Sequence, residues 1–481
     1  LHVRSRRQRQ MCIRDRFICI TGAVSDGHKY IPQVIQKKAG VIVIQDSALG
    51  NDETASLIKE IPSDITIVKA QNTRLALAVM SANYFGNPAK KLFTIGITGT
   101  KGKTTTTYMV KNVLDACGIK TGLIGTIETI IGDEHTPACN TTPESYDIHK
   151  SFAKMAEQGC KAVVMEVSSQ GLKLDRTAGI MFDIGVFTNL EPDHIGPNEH
   201  ASFEEYLECK AKLFSQCKVG IVNADDEHTP KILEHATCSI ESYGISDKAD
   251  IRAKNITLFH EPGKIGLSYD CDGLVNMPVT LKLPGKFSVY NSLCAIAVTR
   301  HFNVDKDTLE KMLYEVKVKG RIEIVPVSDR FTLMIDYAHN AMALKSILET
   351  LKEYNPNRLV CLFGCGGNRS KERRFEMGEV SGKLADLTII TSDNPRFEEP
   401  LDIIEDIKTG ISKTTGKHVD IPDRKEAIKY AIKNAQNGDI IVLAGKGHED
   451  YQEIKGVKYP MDERVLIKEV VKELESEGWK R

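Results

Sequence analysis

No Cys-x-x-Cys pair occurs among the twelve cysteines of this chain, and neither sign of charge dominates it. No apolar stretch approaches the roughly 18 consecutive residues of a membrane-crossing helix. The missing cysteine spacing removes the common zinc and thiol-redox motifs. Cys294 and Cys361 stand inside apolar runs, where a free thiol packs as a small hydrophobe. With no signal-peptide core at the N-terminus either, the expectation is a reducing, cytoplasmic setting. Lys plus Arg (64) nearly cancel Asp plus Glu (65), so no bulk field recruits nucleic acid or an anionic membrane. Any basic function is local. Tandem repeats and low-complexity tracts are also missing.

What is present is length and alternation. A chain of 481 residues, 41% of them hydrophobic, suggests three domains at about 100–200 residues each. Residues 1–16 begin without Met, carry six arginines and show no apolar period, and are read as a non-native extension rather than a nucleic-acid arm. Residues 17–90 alternate strands (17–20, 40–45, 65–68) with helices (30–38, 73–85), and Asn87-Pro88 closes them. From 91 to 320 the alternation repeats: strands at 92–98, 121–126, 162–168, 184–189 and 219–223, helices at 103–116, 146–157 and 202–216, then a β-rich stretch over 251–283. Near-continuous apolar strands between helices predict a parallel sheet covered on both faces. Gly320 is read as a hinge into a second doubly wound unit, 321–481. The fold class is therefore α/β: a small N-terminal domain, a central parallel sheet of the phosphate-loop ATPase kind, and a Rossmann-like C-terminal domain.

Gly96 to Thr105 sits between an apolar strand and a helix, where backbone N–H groups and the helix dipole together cradle phosphate. Gly99, Thr100, Lys101 and Gly102 form the turn, and Thr105 lies in the first helical turn. Lys103 is placed to reach the β- and γ-phosphates, and the Thr104 hydroxyl to ligate Mg²⁺. The strict spacing asks for glycine at position 97, where this chain has Ile97, so the loop is a variant.

In such sheets ligands gather beyond the carboxyl ends of the strands, and the remaining polar clusters fall there. Glu166 ends one strand and could hold a metal; Asp193-His194 follows another. Lys210 reads by pattern alone as a solvated lysine on an amphipathic helix. In the last domain Arg369, in Gly364 to Arg369, and Arg396, in Ser392-Asp393-Asn394-Pro395-Arg396, leave neighbouring strand ends. Arginine's planar fork suits a carboxylate, with an internal salt bridge as the alternative. Gly445 to Glu449 adds a third turn, whose Glu449 could hold an ammonium. A nucleotide site and an amino-acid-like site joined by a hinge describe ATP-driven condensation through an acyl phosphate.

Gly96 to Thr105, Asn140-Thr141-Thr142-Pro143, Met165 to Ser169, Phe187 to Leu190 with Asp193-His194, Asp336-Tyr337-Ala338-His339 and Gly445 to Glu449 together resemble the Mur ligases of peptidoglycan synthesis, over about residues 17–481. The resemblance implies an opening strand before Phe17, which would leave the N-terminal domain incomplete. It implies that Lys210 is carbamylated by CO₂ and, with Thr104, Glu166 and His194, serves Mg²⁺. By the same resemblance Lys103, Lys210, His194 and Glu166 are catalytic. The loop residues 99–105, with Asn291, Arg321 and Asp336, would serve ATP, and Asn140, Thr141, Thr142, Ser168 and Arg176 a UDP-muramoyl dipeptide. Arg369, Asp393, Asn394, Pro395, Arg396, Gly445 and Glu449 would bind an incoming diamino acid, meso-diaminopimelate, with Arg396 taking its far carboxylate. A monomer is expected. The competing readings are the same reaction with lysine and a phosphate-loop ATPase that is not a ligase; a folylpolyglutamate synthetase-like enzyme would lack Asp393 to Arg396.

Overall fold

Short β-branched and apolar runs bounded by Gly, Asn and Pro form the strands of the computed structural model, which describes residues 16–22, 25–193, 195–196, 199–261 and 263–480. Two units carry the chain. The first comprises Leu1–Lys103, Ile119–Val222 and Asp226–Glu241; the second comprises Thr104–Gly118, Asn223–Asp225 and Ser242–Arg481.

The first unit opens with three parallel strands, β1 (Arg16–Ile18), β2 (Val41–Gln45) and β3 (Thr66–Ala70), in that order. Helices α1 (Ile31–Gln36) and α2 (Thr73–Tyr84) accompany them. Phe17, Cys19, Ile31, Val34, Ile42 and Ile44 make the small core. Arg16, grouped in sequence with the set-apart extension, heads β1 opposite Val41; residues 1–15 lie outside the described residues.

The larger sheet of this unit uses β4 (Phe93–Thr98), β5 (Thr121–Ile124), β6 (Glu128–Ile131), β7 (Glu134–Pro137), β8 (Ala162–Glu166), β9 (Phe182–Phe187) and β10 (Cys217–Asn223), ordered β10-β9-β4-β8-β5-β6-β7. The run from β10 to β5 is parallel, as expected, whereas β5, β6 and β7 pair antiparallel. Gly132, at φ +58, makes the two-residue turn with Asp133 that closes this edge hairpin, a signal the period-based reading passed over. Helix α3 (Lys103–Ala116) matches its expected span, and α4 (Ser145–Glu157) begins one residue early. The helix expected over 202–216 is α5 (Phe203–Ala211), capped by Ser202 and tightened into a 3₁₀ turn over Lys212–Ser215.

In the second unit the end of β11 (Ser239–Gly244), from Ser242 on, pairs parallel with β12 (Ile251–Glu261), and β12, β13 (Lys264–Gly273) and β14 (Met277–Leu281) form an antiparallel meander. Helix α6 (Lys286–Thr299) is buried almost all round. A six-stranded sheet follows, built from β15 (Glu323–Val325), β16 (Thr332–Asp336), β17 (Leu359–Phe363), β18 (Leu387–Ile390), β19 (His418–Asp420) and β20 (Ile440–Ala444), ordered β15-β16-β20-β17-β18-β19. Only β15 runs antiparallel to its neighbour. A hairpin, β21 (Tyr451–Ile454) with β22 (Val457–Pro460), was too polar and short to be read from sequence. Because β16, β20, β17 and β18 are adjacent and parallel, the turns after them share one rim. Gly320, expected as a hinge, has φ +69, and a Cβ there would run into the backbone of Gly447 and His448. Among the described residues no helix is long and apolar enough to cross a membrane.

Candidate active site

The phosphate loop is held from beneath by the segment after β9. Asn189 accepts the Lys101 N–H on Oδ1 (2.8 Å), donates from Nδ2 to the Lys101 carbonyl (3.1 Å), and takes the Thr100 N–H on its own carbonyl (2.8 Å). The Thr188 hydroxyl donates to the same Lys101 carbonyl at 2.7 Å. Gly99 has φ +145, and a Cβ there would run into Thr188 Oγ1, so this position needs glycine for both conformation and space.

Lys103 Nζ lies 2.7 Å from the Gly99 carbonyl and 3.0 Å from that of Thr100. Lys210, read from pattern as solvated, is 1% exposed and also donates to the Gly99 carbonyl, at 2.9 Å. Burial first, and the charge of Lys103 second, push the Lys210 amine well below the ordinary lysine range. Its Nζ rests 4.4 Å from the centroid of the Tyr206 ring, whose hydroxyl is 2.9 Å from Thr100 Oγ1. Sequence reasoning passed over Tyr206, although its place one turn before Lys210 on α5 was a usable signal. Lys101 points elsewhere, forming an ion pair with Glu191 at 2.6 Å. Thr104 is buried at the start of α3, and Thr105 follows it half-buried. His194 lies outside the described residues.

Glu166 ends β8, 1% exposed, and accepts the Thr126 N–H (2.8 Å) and hydroxyl (3.0 Å). A Cβ on Gly125 would come 2.6 Å from its Oε1. The Thr142 hydroxyl donates to the Glu166 carbonyl (2.9 Å) and accepts the Ser168 N–H (2.9 Å). Ser168 Oγ in turn caps the next helix by accepting the Gly171 N–H at 3.0 Å. Arg176 reaches the Thr142 carbonyl (2.9 Å) and Glu144 (2.7 Å). The expected substrate set Thr141, Thr142, Ser168 and Arg176 is thus one connected patch, with Thr141 Oγ1 3.1 Å from Thr126 Oγ1 and Asn140 half-buried beside it.

In the second unit Asn291 on α6 is buried, its Oδ1 3.5 Å from Thr106 Oγ1. Asp336 ends β16 and accepts the N–H groups of Ile322 and Ala338, both at 2.9 Å. Burial nevertheless pushes its carboxyl up, against the pull of Arg321. The Arg321 guanidinium lies 5.0 Å from the Tyr337 ring, and its buried Nε has no hydrogen-bond partner among the described residues.

Among the turns at the carboxyl ends of β17, β18 and β20, Arg369 is exposed. Pro395 is buried, and Gly445 has φ +105 with Asp393 Oδ2 3.0 Å from where its Cβ would stand. Arg396 is not an open fork. Its Nε pairs with Glu453 at 3.1 Å and its Nη1 donates to the Gly367 carbonyl at 2.8 Å, leaving Nη2 without a hydrogen bond to a described residue. Glu449, expected to hold a ligand ammonium, already holds the buried Lys446 at 2.8 Å and accepts Asn394 Nδ2 at 2.9 Å. Neither Glu453 nor Lys446 was singled out in sequence, because partners 57 and 52 residues from Arg396 and Asn394 leave no local pattern.

Among the described residues no three His, Cys, Asp or Glu side chains gather as a ready-made metal site. The available donors are hydroxyl and carboxylate oxygens, of the hard kind that Mg²⁺ takes.

Comparison with known proteins follows the same rims. Residues 97–299 match the Mur ligase middle domain, and residues 320–447 the Mur ligase, glutamate ligase domain. The chain is 43% identical over 462 residues to the UDP-N-acetylmuramoyl-L-alanyl-D-glutamate--2,6-diaminopimelate ligase of Caldanaerobacter subterraneus subsp. tengcongensis, covering 95% of this chain and 92% of that one. It is 40% identical over 464 residues to the ligase of the same name from Clostridium perfringens, again covering 95% and 92%. A solved structure of a ligase of that name superposes with a TM-score of 0.68 at 29% identity, over 90% of this chain and 92% of the other. With its phosphate loop, its Glu166 patch and its C-terminal rim all inside these matches, the chain belongs to the Mur ligase family.

Proposed function

We propose that this protein is an ATP-dependent ligase that joins meso-2,6-diaminopimelate to UDP-N-acetylmuramoyl-L-alanyl-D-glutamate in peptidoglycan precursor synthesis. The γ-phosphoryl group passes from ATP to the glutamyl carboxylate, giving an acyl phosphate and ADP. The diaminopimelate amine displaces phosphate and forms the amide. Lys103 neutralises charge on the transferring group, and the loop N–H groups from Gly99 to Thr105 orient it. Asn291, Arg321 and Asp336 serve the nucleotide. Asn140, Thr141, Thr142, Ser168 and Arg176 hold the muramoyl dipeptide, and Arg369, Asp393 to Arg396, Gly445 and Glu449 the diamino acid.

Mg²⁺, when bound, screens the phosphate oxygens and polarises the reacting phosphoryl group. Thr104 and Glu166 would supply oxygen donors for it, and His194 a ring nitrogen. Lys210 supplies another once CO₂ converts its amine to a carbamate, a reaction that needs the neutral amine its buried position favours. We assign residues 17–90, 91–320 and 321–481 to dipeptide, nucleotide and amino-acid domains in a cytoplasmic monomer.

One observation carries the reading: two lysines from different segments meet on the Gly99 carbonyl of the phosphate loop, in a chain 43% identical to a diaminopimelate ligase. Phosphate release measured with ATP, the muramoyl dipeptide and each candidate amino acid tests it. Release should require diaminopimelate; release with lysine alone overturns the substrate assignment, and release without any amino acid favours a simple ATPase.

A further inference from the structure

Lys446 is 0% exposed, and the turn that carries it forces it inward. Gly445 and Gly447 flank it at φ +105 and +51, and a Cβ at Gly447 would come 2.6 Å from that of Tyr337. An ammonium has three donors. Lys446 directs them to Asn394 Oδ1 (3.1 Å), Glu449 Oε2 (2.8 Å) and the Tyr451 carbonyl, and Asp393 Oδ1 stands 3.7 Å away. No donor remains for a ligand. The three acceptors come from the turn after β18, the loop after β20 and the first residue of β21.

This arrangement fixes two orientations. Lys446 Nζ and the Glu453 N–H (2.8 Å) both donate to Asn394 Oδ1, so Asn394 Nδ2 must face Glu449 Oε2. With Oε2 taking both donors, Glu449 Oε1 makes no hydrogen bond to a described residue and is the oxygen left to receive a substrate ammonium. We infer that Lys446 is a positioning residue for the diamino acid, setting the Asn394 amide and the Glu449 carboxylate without touching the ligand. The inference rests on the reading that those two residues hold diaminopimelate.

Electrostatics supports the geometry. Glu449 faces Lys446 and His448 of its own loop, Asn394 of the turn after β18, and Tyr337 after β16. Burial alone would raise its carboxyl, and Lys446 above all brings it below the ordinary range. Without Lys446, Glu449 would take up its proton at higher pH, so the acid limb of kcat/KM for diaminopimelate would move upward.

The test is steady-state kinetics of Lys446→Met, Lys446→Arg, Glu449→Gln and the Lys446→Met/Glu449→Gln double variant, which also removes the carboxylate that Lys446 pairs at 2.8 Å should the single variant fail to fold. Lys446→Met should raise KM for diaminopimelate about 30-fold with KM for ATP changed less than about 3-fold. Its acid limb should shift upward, and Lys446→Arg should recover part of the loss. The double variant should lose less than the product of the two single losses, because Lys446 acts partly through Glu449. An unchanged diaminopimelate KM and acid limb, or fully additive losses in the double variant, overturns the positioning role. A wild-type enzyme that does not use diaminopimelate overturns the functional reading instead.

Discussion

Lys103 and Lys210 donate to one and the same oxygen, the Gly99 carbonyl, at 2.7 and 2.9 Å. Lys103 comes from the first turn of α3 and Lys210 from α5, so the two amines converge on the turn that the proposed function assigns to phosphate. Lys103→Ala should therefore lower kcat/KM for the overall reaction by about 10³-fold or more, since charge on the transferring phosphoryl group loses its principal counter-ion. Near-normal turnover in that variant would sink the phosphate-loop assignment.

The second lysine of the pair makes a different prediction. Burial lowers the basicity of the Lys210 amine and so favours its neutral form, and only the neutral amine adds CO₂, releasing a proton. Acidification opposes both steps, so activation by bicarbonate should be strong at about pH 8 and fade toward about pH 6. Lys210→Ala should be nearly inactive and partly rescued by acetate, which brings back a carboxylate oxygen. Full activity of both the variant and bicarbonate-depleted wild type would dispose of the carbamate.

Sequence carried the alternation, the rims and the loop because each leaves a local mark: period, punctuation or a Gly-Lys-Thr run. The burial of Lys210 left none, since the same amphipathic pattern serves a lysine on a solvated face and one turned against Tyr206 under the phosphate loop. The Arg396–Glu453 and Lys446–Asn394 contacts were equally silent, being set by how β21 folds back over the turn after β18. The β6–β7 hairpin was legible in Gly132-Asp133, and was missed because a helix-and-strand period outweighed a two-residue turn.

His149 on α4 is 1% exposed, lies edge-on to Phe152 and has no partner on either ring nitrogen among the described residues. Burial pushes its pKa down to about 4. A folded-state base with a lowered pKa leaves stability intact above the ordinary histidine range, and removes it as pH falls toward the folded value, because only the unfolded chain takes up the proton. Wild type should thus lose about 2 kcal/mol more than His149→Leu between about pH 7 and about pH 4.5, read from denaturant unfolding at both values. Equal losses would show that the imidazole does not titrate in this way.

On the proposed function the amino-acid preference turns on Arg396, and the Glu453 contact changes its expected size. An arginine left desolvated and unpaired when lysine replaces diaminopimelate would reject lysine by about 10⁴-fold. Arg396 is not in that state here, because Glu453 already pairs with its Nε at 3.1 Å. On the proposed function the far carboxylate gains chiefly Nη2, which makes no hydrogen bond to a described residue, so discrimination by kcat/KM should be about 10²- to 10³-fold. Arg396→Ala should erase most of it by damaging diaminopimelate use far more than lysine use. Glu453→Gln should move the other way: with its competing anion gone, Arg396 pairs more strongly with the substrate carboxylate, and the preference for diaminopimelate should rise about tenfold. A wild-type preference for lysine would overturn the assignment of the far carboxylate to this arginine. A Glu453→Gln enzyme with lower diaminopimelate use and unchanged lysine use would instead make Glu453 a support for Arg396, not a competitor.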